Sequence, residues 1–179
     1  MIGEIIMRKN KLLKLIIVGC ITVFALTACG GKNESSEENT STTEEAKEVS
    51  INIKEFAQNY AGSRTDVSLV EMTEDYVKGM LSFDVTKVSE YTVYVDASGT
   101  TVDEFGVFKA NEGEGEEVAK LLETYLDMRL DTWMDEYMPE QKPNVENAVV
   151  KNIGDYYIYM ILSDSERETF VSNIEEAAK

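Results

Sequence analysis

Only two cysteines occur in the chain, and their positions decide how anything beyond them must hold together. Cys20 lies inside an apolar run covering 15–28, and Cys29 stands directly after it, so no thiol remains from residue 30 to residue 179. A domain built from that remainder has no disulfide to draw on and must be stable through its hydrophobic core alone. The run itself reads Leu-Ile-Ile-Val-Gly-Cys-Ile-Thr-Val-Phe-Ala-Leu-Thr-Ala and follows Arg8, Lys9, Lys11 and Lys14. Basic, apolar and small-residue regions in that order form a signal peptide over residues 1–28. A stop-transfer helix would need about 20 apolar residues and a basic flank on the far side. Here the far side is Gly30-Gly31-Lys32 followed by acidic residues. Met7-Arg8-Lys9-Asn10-Lys11 has the form of a conventional start and Glu4 is out of place in a basic leader, so both Met1 and Met7 stand as starting points.

Leu26, Thr27 and Ala28 before Cys29 match the bacterial lipobox, and the segment resembles a lipoprotein signal. That resemblance implies cleavage before Cys29, diacylglycerol on its thiol, and a chain held on the outer face of the bacterial cytoplasmic membrane. Stable attachment takes more than one acyl chain, since a single chain binds only marginally. An ordinary secretory signal and an N-terminal membrane helix are the alternatives. With the leader go four cations and one acid, so the 17 Lys and Arg against 34 Asp and Glu of the whole chain become 13 against 33, a net charge of −20.

Charge and composition then exclude whole classes of function. So acidic a surface repels nucleic acid and anionic headgroups, so no nucleic-acid partner is expected. The complete absence of histidine removes the commonest general base, the usual zinc ligand and every triad built on imidazole. No Ser-x-x-Lys occurs either, so that histidine-free nucleophile is missing as well. Neither a cofactor nor a metal is expected, and no catalytic residue is assigned.

Residues 29–49 read as the lipidated cysteine and a disordered acidic tether, composed of Gly, Lys, Asn, Glu, Ser and Thr with Ala46 and Val49 as the only aliphatic residues. Residues 50–179 are then a single domain, long enough to bury an adequate core. Helices are expected over 53–60 and over 73–81, the second capped by Thr73. Alternation of Tyr91, Val93 and Val95 against Thr92, Tyr94 and Asp96 predicts a strand over 90–97, and a turn at 97–101 leads to a second strand over 103–110. A long helix is expected from 116 to about 138, stopped by Pro139, with Val118, Leu122, Tyr125, Leu126 and Trp133 toward the core. Residues 148–152 and 156–163 form a hairpin through Ile153-Gly154-Asp155, and a last helix opens at 164 with Ser163 and Glu166 as a capping box. The order predicts an α+β fold with about four mainly antiparallel strands and helices packed on one face.

Four constellations bear on chemistry. Gly113-Glu114-Gly115-Glu116-Glu117 opens a helix after a strand, but its carboxylates oppose a phosphate and suit the positive end of the helix dipole. Glu123, Asp127, Asp131 and Asp135 recur every four residues as an acidic stripe, which is a solvated face, a seat for a basic partner or a loose attractor of divalent cations. The turn from Asp96 to Asp103 and Glu104 gathers oxygen ligands without the spacing of an EF-hand. Tyr156, Tyr157 and Tyr159 with Tyr91 and Tyr94 place aromatics on both sides of two strands, as cross-strand packing or as a stacking row for sugar or peptide.

Asp103-Glu104-Phe105-Gly106-Val107-Phe108-Lys109-Ala110, the acidic helix start, Tyr137-Met138-Pro139, Asn147-Ala148-Val149-Val150 and the run from Gly154 to Asp164 together resemble a family of Gram-positive lipoproteins catalogued as domain of unknown function 4358. The resemblance covers about 89–177 and implies a lipoprotein; it lends no activity, cofactor or site residue. The resulting expectation is a lipid-anchored extracytoplasmic lipoprotein, a non-enzymatic binding or accessory module of the cell envelope with an envelope protein or the cell wall as partner. The alternative is a small envelope hydrolase using carboxylates. A two-lobed solute-binding lipoprotein ranks third, since 130 residues hardly provide two lobes and a cleft.

Overall fold

The local signals for helix entry act as the side chains require. Asn52 accepts from the backbone N–H of Glu55, Thr73 from that of Tyr76, and Ser163 from that of Glu166, each supplying an acceptor to a donor that the helix itself leaves free. The structure is a computed structural model that describes residues 50–179. Along them run α1 (Ile53–Ser63), β1 (Leu69–Glu71), α2 (Glu74–Met80), β2 (Val88–Asp96), β3 (Glu104–Ala110), α3 (Gly115–Asp131), α4 (Lys142–Glu146), β4 (Val149–Ile153), β5 (Tyr156–Ile161) and α5 (Asp164–Ala177). The fold is α+β, with one antiparallel sheet in the order β1-β2-β3-β5-β4.

Two features of the sheet correct the sequence expectation. It has five strands rather than four, because Leu69, Val70 and Glu71 pair with Asp96, Val95 and Tyr94. Three residues are too few to display a period of two, so only the pairing reveals that strand. Helices also cover both faces rather than one. On one face Tyr94, Phe105, Val107, Tyr156, Ile158 and Met160 pack with Ile53, Ala57 and Tyr60 of α1 and with Phe170 and Ile174 of α5. On the other, Val93, Phe108, Tyr159 and Ile161 pack with Val77 of α2, with Val118, Leu122 and Tyr125 of α3 and with Val145 of α4. The cause is visible in β5, whose run Tyr156 to Ile161 is apolar at every position; a strand with one wet face would alternate.

Register couples the two layers. Gly106 of β3 lies opposite Tyr159 of β5, and a Cβ on Gly106 would stand 2.4 Å from Cε1 of Tyr159 and 2.7 Å from Cε2 of Phe108. The missing side chain is therefore the space that the two rings occupy. Helix α3 ends at Asp131, seven residues short of the expected 138. There the N–H and the hydroxyl of Thr132 both bond to the carbonyl of Met128, and Trp133 turns back to the carbonyl of Leu130. The stop comes from this closing turn, ahead of the proline. The capping box at α5 is half formed, since the carboxylate of Glu166 reaches Tyr60 and Arg64 instead of its own helix start.

Candidate functional site

Asp103 and Glu104 are consecutive at the entry to β3, so their side chains leave the sheet on opposite faces. Glu104 is completely buried. Its Oε1 accepts from the hydroxyls of Tyr125 at 2.5 Å and Tyr159 at 2.6 Å, and its Oε2 accepts from Arg129 at 2.6 Å. Arg129 also donates to the Tyr125 oxygen at 3.0 Å, which closes the group into a network of four side chains from β3, α3 and β5. Burial and then the charge of Glu104 push both phenols well above their ordinary range. Burial works against the charge of Arg129, but Glu104 together with the oxygens of Tyr125 and Tyr76 outweighs it and holds the guanidinium protonated.

Across the sheet, Asp103 meets Arg64 at 2.6 Å, with both side chains nearly buried. Arg64 also bonds Asp66 at 2.9 Å and Glu166 at 3.3 Å, so one guanidinium joins the end of α1, the entry to β3 and the first turn of α5. Burial raises Asp103 above the usual carboxylate range while Arg64 pulls it back. These are the chemically richest groups of the described residues, and every one is engaged inside the protein. An acid or base for catalysis must reach substrate directly or through a water, and neither Asp103 nor Glu104 faces outward to do so.

The turn between β2 and β3 consumes the third buried acid. Asp96 accepts from the backbone N–H groups of Ser68, Ser98 and Thr101, and from the hydroxyls of Ser98 at 2.6 Å and Thr101 at 3.2 Å. Burial disfavours its charge, but these donors prevail and hold it far below the usual range. A depressed folded pKa means that its stabilisation is present above the unfolded value of about 3.9 and is lost as pH falls from there toward the folded value. Asp103, shifted upward, has the opposite sign: its favourable contribution exists at low pH and fades as pH rises through its folded value. Asp96→Asn is accordingly expected to cost about 2 kcal/mol at pH 7, with the gap to the wild type closing below about pH 4. Urea unfolding from pH 7 down to pH 3 checks this; a constant gap would remove the carboxylate from the explanation.

The remaining sequence candidates separate clearly. Cys29, with Leu26, Thr27 and Ala28, lies outside the described residues. Among the described residues no three Asp, Glu or Cys side chains gather as metal ligands do, and no helix is long and apolar enough to cross a membrane. At the entry to α3, Glu116 and Glu117 lie in the first turn and Glu114 pairs with Lys87 at 2.7 Å. A Cβ on Gly115 would meet the Tyr157 hydroxyl oxygen at 2.2 Å, so any side chain there would have to displace the half-buried Tyr157 ring. The acidic stripe is split, with Glu123, Asp127 and Asp131 on α3 and Asp135 beyond its end, bonded to Lys142 at 2.5 Å. Tyr94, Tyr156 and Tyr159 are buried, while Tyr91 and Tyr157 are half-buried, so the tyrosines serve the core more than a stacking row. Sequence reasoning missed Arg64 and Arg129. A signal for the second was available: Tyr125 and Arg129 stand four apart, on one face of the helix whose buried side was expected.

Two grooves flank α5. One, of about 550 Å³, lies between α1 and α5 and is lined by Asn52, Glu55, Phe56, Asn59, Tyr60 and Asn173 among others. The second, of about 530 Å³, runs between β4 and α5 over Val149, Met160 and Val171, with Lys151, Arg167 and Glu168 at its sides. The carboxylates that stand clear of their ordinary range, Asp66, Asp84, Asp96 and Asp103, line neither groove.

Comparison with known families gives a match to the one described as Domain of unknown function (DUF4358), over residues 62–162. That stretch starts at the end of α1, reaches further toward the N-terminus than the resemblance over 89–177, and stops before α5. It contains Arg64, Asp103, Glu104, Tyr125, Arg129 and Tyr159, so both arginine-bound acids fall within it. No curated protein and no solved structure matches.

Proposed function

The chain belongs to the family of domain of unknown function 4358, and from that premise we propose that it is a lipid-anchored extracytoplasmic lipoprotein acting as a non-enzymatic binding or accessory module of the cell envelope. The anchor is diacylglycerol on Cys29, the tether is residues 30–49, and residues 50–179 are the displayed domain. One observation carries the non-enzymatic part: the buried acids Asp103 and Glu104 are each closed off by an arginine, and Glu104 additionally by two phenols, so they serve the core. Support for the anchor is the order of basic residues, apolar run and Leu26-Thr27-Ala28-Cys29. The acidic charge suits a domain that lipid holds at the membrane while its own surface is repelled by anionic headgroups.

Cys29→Ala is expected to abolish membrane retention. The measurement is fractionation of cells expressing wild type and variant, followed by a high-salt wash of the membranes. A variant that stays in the salt-washed membrane fraction overturns the lipid anchor.

A further inference from the structure

Six large apolar side chains stand exposed among the described residues, and three of them, Met128, Met134 and Tyr137, fall within ten residues at the end of α3. The N–H of Tyr137 donates to the carbonyl of Met134 at 2.9 Å, so these two residues share one turn. The turn has a set shape: Met138, directly before Pro139, is held at a φ of 49°, in the left-handed region that non-glycine residues rarely adopt. Trp133 ties the segment to the core by packing, and its indole Nε1 is buried with no acceptor among the described residues.

The surroundings are acidic with little to balance them. Met128 precedes Asp131 by three positions on α3, which makes the two surface neighbours. Asp131, Glu136 and Glu140 form no ion pair among the described residues, while Asp135 is bonded to Lys142. Arg129 is the only Lys or Arg between Lys120 and Lys142, and it is directed inward to Glu104. Two thioethers and a tyrosine bordered by carboxylates complement a partner with the opposite pattern. Thioether side chains adapt to varied apolar anchors, and like charge excludes an anionic bilayer from the same place.

We propose that Met128, Met134 and Tyr137, with Asp131, Glu136 and Glu140, form a docking surface for a cationic amphipathic segment of another protein. Its apolar side chains seat on the methionines and the tyrosine, and its ammonium or guanidinium groups face the three carboxylates. This rests on the interaction-module reading and names its partner chemistry.

Trp133 is the single tryptophan of the chain, so its emission reports directly on this segment. The test titrates the full chain, reconstituted in phosphatidylcholine vesicles, with a Trp-free amphipathic helical peptide of leucine and lysine. A saturable change in emission is expected, weakened by added salt. Met134→Ser with Tyr137→Ser is expected to weaken binding about tenfold or more while the thermal melt is unchanged, since both side chains are exposed. Asp131→Asn with Glu136→Gln and Glu140→Gln is expected to weaken it and to flatten the salt dependence. The proposal is overturned by no saturable change, by affinity that either variant leaves unaltered, or by an emission change on adding phosphatidylglycerol vesicles alone. Peptide crosslinked at the groove between α1 and α5 would also overturn it and leave the module reading standing. The anchor is tested separately by Cys29→Ala.

Discussion

Arg129→Met is expected to destabilise the domain by about 3–5 kcal/mol, the cost of leaving a buried charge without its partner. Glu104 has no exposed surface, and its Oε2 loses the only donor given to it. The two phenols on Oε1 remain, but a neutral hydroxyl supplies less than a guanidinium to a carboxylate. Methionine keeps most of the aliphatic volume of the arginine stem, so the loss reports charge rather than packing. A double-mutant cycle separates the two further. Glu104→Gln removes the stranded charge, so Glu104→Gln with Arg129→Met is expected to be less destabilised than the sum of the single changes, with a coupling above about 1 kcal/mol. Urea denaturation of the four proteins at pH 7 gives these values, and additive losses would mean that Arg129 contributes only its stem.

Phe105→Ala carries a comparable expected loss of about 3–5 kcal/mol, from a different cause. Its ring is fully buried and stands 5.3 Å from that of Tyr60, 5.3 Å from that of Tyr94 and 4.9 Å from that of Phe170. These partners come from α1, β2 and α5, so the truncation opens a cavity where three elements meet β3. Rings held at edge and stacked geometries collapse poorly into such a space, which keeps the cost near the upper part of the range for aromatic truncation. The effect should appear without the pH dependence expected for Asp96→Asn. Thermal melts at pH 7 and pH 4 test this directly: a loss below about 1 kcal/mol at both would show that α1 and α5 repack onto the alanine.

Both expected losses concern residues whose weight the sequence showed unequally. The alternation of Tyr91, Val93 and Val95 and the caps at Thr73 and Ser163 were legible because they are local, set by a period of two or by a side chain reaching two or three residues along. The hairpin through Gly154 is of the same kind, with Gly154 at a φ of 58°. The end of α3 was less legible. Thr132 and Trp133 stop it through bonds to Met128 and Leu130, whereas the apolar spacing alone runs on to Pro139.

By itself the sequence determined that no cysteine beyond Cys29 is left to staple a fold, that histidine chemistry is absent, and that an α+β pattern of four long strands and several helices runs along residues 50–179. Composition and short-range periodicity suffice for those statements. Only the tertiary structure decided that helices cover both faces of the sheet, that a three-residue strand joins its edge, and that Asp103 and Glu104 are claimed by Arg64 and Arg129. Each of those depends on contacts between residues up to dozens of positions apart, 39 for Arg64 with Asp103 and 25 for Arg129 with Glu104. Nothing in the neighbourhood of an acid along the chain says which cation the packing of distant elements will bring to it.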